Sequence, residues 1–324
     1  MKLSRTLPAA LLGVALALGM TACGGGDSSR DAATTAASDT VTEAASWPVT
    51  VDHVRGSSTI GEKPERIVVM HEAGIDPVLS LGLEPVAMFG IQGGDDSMPW
   101  LEGKIDWPED ASLTAERTAN PEAVAKYDPD LIIVGDVYAD DATWHELEAI
   151  APTLVYDWPT DGPAWRPILD GVAEATGLED RADEVTAAYD ARISGIRAQF
   201  PGLDQLTYNS AILNKGQLMY TTNSVFEDLG MVQTDRQKKA GATGTVSMER
   251  LDELDGDLLV IYDPAGEKQK LESSRQFRSL PSVTNGALVW QNMALGYAVT
   301  TAAGPMSLDW AVEQITPELT AAVS

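Results

Sequence analysis

The sequence predicts an α/β protein made of two lobes of similar plan, each with a parallel-rich sheet, joined by a single long α-helix. Three observations predict it. The first is a helix–strand unit. Asn120 is an N-cap candidate, Pro121 takes the first helical position, where a missing N–H costs nothing, and Glu122 falls in the first turn, where the helix dipole favours a carboxylate. Val124 and Tyr127 recur at helical spacing and Pro129 stops the run. Leu131-Ile132-Ile133-Val134 then reads as a buried parallel strand. The second observation is a repeat. Residues 247–261 lie over 120–134 without a gap, so Glu122 falls on Glu249, Asp128 on Asp255, Asp130 on Asp257 and Leu131 on Leu258. Upstream of the copies, Leu81-Gly82-Leu83 and Leu229-Gly230-Met231 each close a short helical pattern. The third is the stretch between the halves. Val185, Tyr189, Ile193, Ile196 and Phe200 recur at steps of three and four, and Pro201 ends the run. A helix of about 20 residues is roughly 30 Å long, a stiff connection that predicts little lobe movement.

The chain starts with a leader. Lys2 and Arg5 precede an apolar run from Leu7 to Met20, long enough for a signal-peptide core and too short for a membrane span. Met20-Thr21-Ala22-Cys23 and three glycines follow, which resembles a bacterial lipoprotein signal in which the cysteine is lipidated and becomes the first residue. The alternative is an ordinary secretory signal with an incidental cysteine. Cleavage removes Lys2, Arg5 and no acid, taking the net charge from −27 to −29, and leaves no second cysteine for a disulfide. Residues 24–46 are small and polar and read as a flexible tether. The expected organisation is a signal at 1–22, a tether at 23–46, a first lobe at 47–165, a linking segment with the long helix at 166–200, and a second lobe at 201–324.

From Trp47 onward the elements follow in order. Val49 to Val54, with Gly56-Ser57 as a turn signal, predict a small hairpin. Ile67 to Met70 is a buried strand, Ile75 to Leu81 a helix and Pro85 to Phe89 the next strand, an order that implies a right-handed crossover and parallel pairing. Residues 90–113 read as an acidic loop, 144–150 as a helix and 153–156 as a strand. Trp158, Pro159 and Trp165 fall in a loop. In the second half, 208–213 and 217–221 read as strands, 225–229 as a helix and 233–245 as a loop. The copy of the helix–strand unit follows. A helix around 274–280, a strand at 287–290 and a terminal helix at 308–319, with Pro317 inside it, complete the chain.

The motifs Pro64-Glu65-Arg66-Ile67, Leu81-Gly82-Leu83-Glu84-Pro85, Asn120-Pro121-Glu122, Pro129-Asp130-Leu131-Ile132, Ile150-Ala151-Pro152-Thr153 and Val246-Ser247-Met248-Glu249 stand in this order behind a lipoprotein signal. The series resembles the iron-siderophore and cobalamin class of ABC-transporter substrate-binding proteins over about residues 47–320. The resemblance implies a ligand cleft between the lobes, a ferric siderophore as ligand and an ABC importer permease as partner. It implies a lipid-anchored protein on the extracytoplasmic side of the cell membrane, expected as a monomer. Arg117 and Tyr138 resemble the arginine and tyrosine of ferric hydroxamate-binding members, whose iron stays on siderophore oxygens with no metal ligand from the protein. Guanidinium and phenol donors suit those oxygens. By the same resemblance Glu122 and Glu249 would meet permease arginines. Read alone, each is a first-turn carboxylate that only stabilises its helix.

Further candidate ligand contacts are His71, at a strand's carboxyl end where open α/β sheets bind ligands, the aromatics Trp158, Tyr220 and Tyr297, and Arg236 in a second-lobe loop. A satisfied loop histidine, core aromatics and a solvated arginine are the alternatives. Three histidines far apart in sequence make no dedicated metal site. Strong acidity argues against nucleic acid, and no catalytic motif of a hydrolase is present. Haem or cobalamin would suit the same fold. A lipid-anchored hydrolase or a surface structural lipoprotein is the reading from another class.

Overall fold

Short apolar runs and the loops between them build two sheets. A computed structural model describes residues 46–89, 97–104, 109–115, 118–157, 165–241, 244–300 and 302–324. The leader, Cys23, Arg117 and Trp158 lie outside these residues. The first sheet is ordered Glu109–Asp110, Ala87–Phe89, Ile67–Met70, Leu131–Gly135 and Thr153–Tyr156, parallel throughout. Ala87–Phe89, Ile67–Met70 and Leu131–Gly135 are buried along their whole length, which is why they read as unbroken apolar runs. In the second sheet, Thr207–Asn214, Leu258–Tyr262 and Leu288–Gln291 are parallel neighbours. Gln217–Tyr220 folds back antiparallel on Thr207–Asn214 through Lys215 and Gly216, both at positive φ. Thr245–Val246 extends that edge, and Val232–Gln233 pairs with the start of Thr207–Asn214.

The repeat in the sequence is a repeat of hydrogen bonds. Asp130 accepts the backbone N–H groups of Glu65 (2.8 Å) and Arg66 (2.7 Å), just ahead of Ile67–Met70. Its counterpart Asp257 accepts the N–H and the hydroxyl of Thr207, both at 2.7 Å, at the start of Thr207–Asn214. In each lobe the aspartate before one central strand fixes the entry of its parallel neighbour. Gly82 and Gly230 also match, at φ 81° and 91°. Each donates to the carbonyl three residues back, and the residue after it donates five back: Gly82 to Leu79 and Leu83 to Val78, Gly230 to Glu227 and Met231 to Phe226. These are the paired bonds of a Schellman close, and they need a left-handed residue at its centre. The copies part company at the helix. Asn120 caps Pro121–Ala125 by accepting from the N–H of Ala123, whereas residues 251–254 make only a 3-10 turn and Glu249 sits in a turn before it. Met248 stands where Pro121 presets the helical φ.

The long helix spans Glu179–Gln199 and buries Val185, Tyr189, Ile193 and Ile196. Three expectations are corrected. Trp165 starts a helix, Trp165–Thr176, instead of lying in a loop, and it is fully buried. That helix packs on Glu72–Ser80 and on the hairpin strand Val49–His53, so the boundary expected at residue 166 falls inside an element that belongs with the first sheet. The stretch 233–245 carries the helix Asp235–Ala240, capped by Thr234. A further helix, Met293–Val299, is capped by Asn292 and followed by Leu308–Ala322, which runs through Pro317.

One apolar cluster continues from the first sheet past the long helix to the second sheet, and a second cluster fills the far face of the second sheet. Polar contacts also tie the lobes. Asp76, on the helix Glu72–Ser80, accepts from the Ser80 hydroxyl (2.9 Å) and from the N–H groups of Met306 (3.0 Å) and Ser307 (3.3 Å). A Cβ on residue 304 would lie 2.5 Å from the Asp76 carboxyl carbon, so the loop closes on the carboxylate because Gly304 has none. Arg192 pairs with Asp309, and the rings of Trp100 and Trp310 meet at 5.4 Å.

Candidate functional site

Parallel strands send their carboxyl ends to one edge of a sheet, and ligand sites of open α/β folds gather there. At that edge of the first sheet stand His71, after Ile67–Met70, and Tyr138, after Leu131–Gly135. His71 is the N-cap of Glu72–Ser80: its Nδ1 accepts the N–H of Ala73 at 3.1 Å. Its ring meets Tyr138 edge-on at 5.7 Å, and Tyr138 in turn lies 6.4 Å from Phe89. Gly135 makes this possible. A Cβ there would lie 2.3 Å from the His71 ring.

The second lobe brings Tyr262, at the end of Leu258–Tyr262, and Tyr297, on the helix after Leu288–Gln291. The Tyr262 ring packs on Gly296, where a Cβ would sit 3.2 Å from it. Burial raises the Tyr297 phenol well above its ordinary pKa, and the charge of Glu72 and the phenols of Tyr262 and Tyr138 add to the rise. Glu72 and Tyr138 come from the first lobe, so Tyr297 faces them across the lobes. The Ser97 hydroxyl and the Met293 sulfur meet at 3.5 Å from opposite sides.

Glu72 is the unusual member. Its side chain is 14% exposed, its Oε2 is buried, and that oxygen accepts no hydrogen bond from any described residue. His71 Nε2 is 3.9 Å away, beyond hydrogen-bond length. Burial lowers the pKa of His71, with Glu72 opposing more weakly, so the imidazole is neutral at pH 7. At the rim, Arg55 on the hairpin turn pairs with Asp136 (2.5 Å) and Asp141 (2.8 Å). Asp140 caps the next helix through the N–H of Thr143, which holds its carboxyl below the usual range.

His71, Tyr138 and Tyr297 are therefore brought together, and Tyr220 and Arg236 are not. Tyr220 ends a strand antiparallel to Thr207–Asn214 and lies opposite Ala211. It is 2% exposed in the far cluster, and its hydroxyl donates to the Glu253 carbonyl at 2.9 Å. Arg236 pairs with Glu253 at 2.8 Å. Both serve the second lobe's own packing. Glu122 and Glu249 are exposed. A cavity of about 460 Å³ lies at the far end of Glu72–Ser80, lined by Ser80, Arg181, Tyr189, Arg192 and Met306. Its arginines are spent on Glu184, the Ser80 carbonyl and Asp309.

Sequence reasoning missed Glu72, Gly135, Tyr262 and Arg55. The sequence places Glu72 in the loop ahead of Ile75, whereas the helix begins at Glu72 itself, and it reads Gly135 as a strand end. Among the described residues no group of three or more His, Cys, Asp and Glu side chains is placed to hold a metal ion, and no helix is long and apolar enough to cross a membrane.

Comparison with known proteins gives concordant results. The family model described as periplasmic binding protein matches residues 67–290. The probable siderophore-binding lipoprotein YfiY of Bacillus subtilis is 28% identical over 258 residues, covering 73% of this chain and 78% of that protein. The Fe(3+)-citrate-binding protein YfmC of Bacillus subtilis is 25% identical over 245 residues, covering 71% and 74%. Among solved structures, a periplasmic solute binding protein from Mycobacterium smegmatis superposes with a TM-score of 0.71 at 21% identity, over 85% of this chain and 99% of that one, which concerns the fold alone.

Proposed function

The chain belongs to the periplasmic binding protein family, and from that premise we propose that it captures a ferric siderophore of the hydroxamate type between its lobes and delivers it to an ABC importer. Members of such a family bind and release solutes and carry out no covalent chemistry. The observation that carries the reading is the convergence of Tyr138 and His71 from one lobe with Tyr262 and Tyr297 from the other, at the carboxyl ends of both sheets. Phenols can donate to the oxygens around a chelated ferric ion, and aromatic faces pack on the chelator's carbon skeleton. The names of the two Bacillus relatives, one siderophore-binding and one ferric-citrate-binding, point to iron chelates as the ligand class. In this reading the iron stays on siderophore oxygens. Arg117, three residues before the N-cap Asn120, supplies a guanidinium, and Trp158 a further aromatic wall. Cys23 carries the lipid that holds the protein on the extracytoplasmic face of the membrane, and Glu122 and Glu249 meet the permease.

The test is fluorescence titration of the purified protein with a ferric hydroxamate, a ferric catecholate, haem and cobalamin. The ferric hydroxamate is expected to quench tryptophan emission saturably and with the highest affinity. Tighter binding of haem or cobalamin would transfer the protein to another ligand class. Gly135→Ala serves as the pocket control. A methyl 2.3 Å from the His71 ring must displace it, so affinity for the ferric hydroxamate is expected to fall by about tenfold or more with the fold retained. Unchanged affinity in that variant would place the ligand elsewhere.

A further inference from the structure

Resting on the reading above, we infer that Glu72 contacts the ligand and selects a ferric chelate that carries a positively charged amine. The starting point is the Glu72 Oε2 atom, buried between the lobes and accepting nothing. A buried acceptor left unpaired is costly, and a charged one more so, unless a bound ligand completes it. The neighbouring side chains do not supply the counter-charge. His71 uses Nδ1 as an acceptor, so that nitrogen carries no proton, and its Nε2 stays 3.9 Å away. Arg55 is committed to Asp136 and Asp141.

The surroundings specify what would fit. Glu72 Oε2 lies 3.9 Å from His71 Nε2, the His71 ring meets Tyr138 at 5.7 Å, and the Glu72 charge helps raise the pKa of the Tyr297 phenol. A carboxylate set among aromatic rings suits an ammonium group: the carboxylate takes its hydrogen bonds and the ring faces take its charge. An anionic chelate would meet an unneutralised carboxylate there, in a protein whose net charge is −27. A linear trihydroxamate that ends in a primary amine gives a cationic ferric complex. Capping the amine gives a neutral one with the same iron centre.

The experiment compares two such complexes, ferrioxamine B with its free ammonium and its N-acetylated form, on wild type and Glu72→Gln. Wild type is expected to bind the ammonium form on the order of tenfold more tightly. Glu72→Gln should lose most of that preference. Equal affinity of wild type for the two forms overturns the inference, and so does a preference that survives in Glu72→Gln. The two-ligand comparison on wild type stands whether or not the variant folds. If a ferric catecholate binds most tightly, the charge selection fails while siderophore capture stands. If no ferric chelate binds at all, the functional reading fails and the inference with it.

Discussion

Asp76→Ala is expected to destabilise the folded protein by about 2–5 kcal/mol at pH 5, because it takes a hydrogen-bonded carboxyl out of a buried place. Its partners are the Ser80 hydroxyl and the N–H groups of Met306 and Ser307, and the contact ties a first-lobe helix to the loop between the last two helices. The effect depends on pH in a stated direction. Burial pushes the Asp76 carboxyl up to about 7 from an ordinary 3.8, against the lowering effect of its three donors. The folded state thus holds its proton more tightly than the unfolded chain. The stability this contributes is full below about pH 3.8 and is lost as pH rises to about 7, on the order of 4 kcal/mol in all. Asp76→Asn keeps one acceptor for the two N–H groups and turns its amide toward the Ser80 oxygen. It is expected to match wild type at pH 5 and to exceed it at pH 8. Urea denaturation at both pH values checks this. Wild-type stability in Asp76→Ala at pH 5, or an unchanged pH dependence in Asp76→Asn, would show that the carboxylate does not hold the lobes.

Glu122→Lys combined with Glu249→Lys is expected to cut siderophore uptake by about tenfold or more while leaving ligand affinity intact. Both glutamates are exposed, one in each lobe, and neither belongs to the cluster around Tyr138 and Tyr297. Their backbones differ: Glu122 rides on a short capped helix and Glu249 on a turn. A permease that offers an arginine to each would be steered by both and fixed in orientation, and lysine replaces each attraction with repulsion. Uptake into reconstituted vesicles, at low and high salt, is the measurement. Salt should slow the wild type by screening the attraction. An uptake rate equal to wild type in the double variant would leave the two residues as local helix and turn stabilisers.

Much of this architecture was legible from local pattern because its causes are local. Buried parallel strands need continuous apolar runs, and Ile67–Met70, Leu131–Gly135 and Leu258–Tyr262 have them. Asp130 and Asp257 were visible as a repeated pair, although the strand entries they hold lie 64 and 50 residues away in sequence. The helix Trp165–Thr176 had its signal in Trp165, Ile168, Leu169, Val172 and Ala173, and one tryptophan and two prolines just before it masked the spacing. The positions of His71 and Tyr138 were readable because each follows a strand of the first, parallel sheet. The burial of Tyr220 in the far cluster was not readable, because the side of the sheet it faces is set by a hairpin partner that apolar spacing does not encode. Glu72 was hidden because the apolar spacing starts the helix at Ile75 and leaves Glu72 in a loop, whereas the helix begins at Glu72. Its burial comes from the opposite lobe. Asp76 was hidden likewise, as its partners sit 230 residues on.

This chain is expected to bind a ferric siderophore with the iron left on the siderophore's own oxygens. The most direct measurement is a titration of the purified protein with a ferric hydroxamate that follows tryptophan emission and the visible charge-transfer band of the chelate together. Saturation at one ligand per chain with the band unchanged is expected, because the protein adds hydrogen bonds and aromatic contacts around an intact chelate. Loss of the band with iron retained on the protein, or no saturable binding of any ferric chelate, would contradict it.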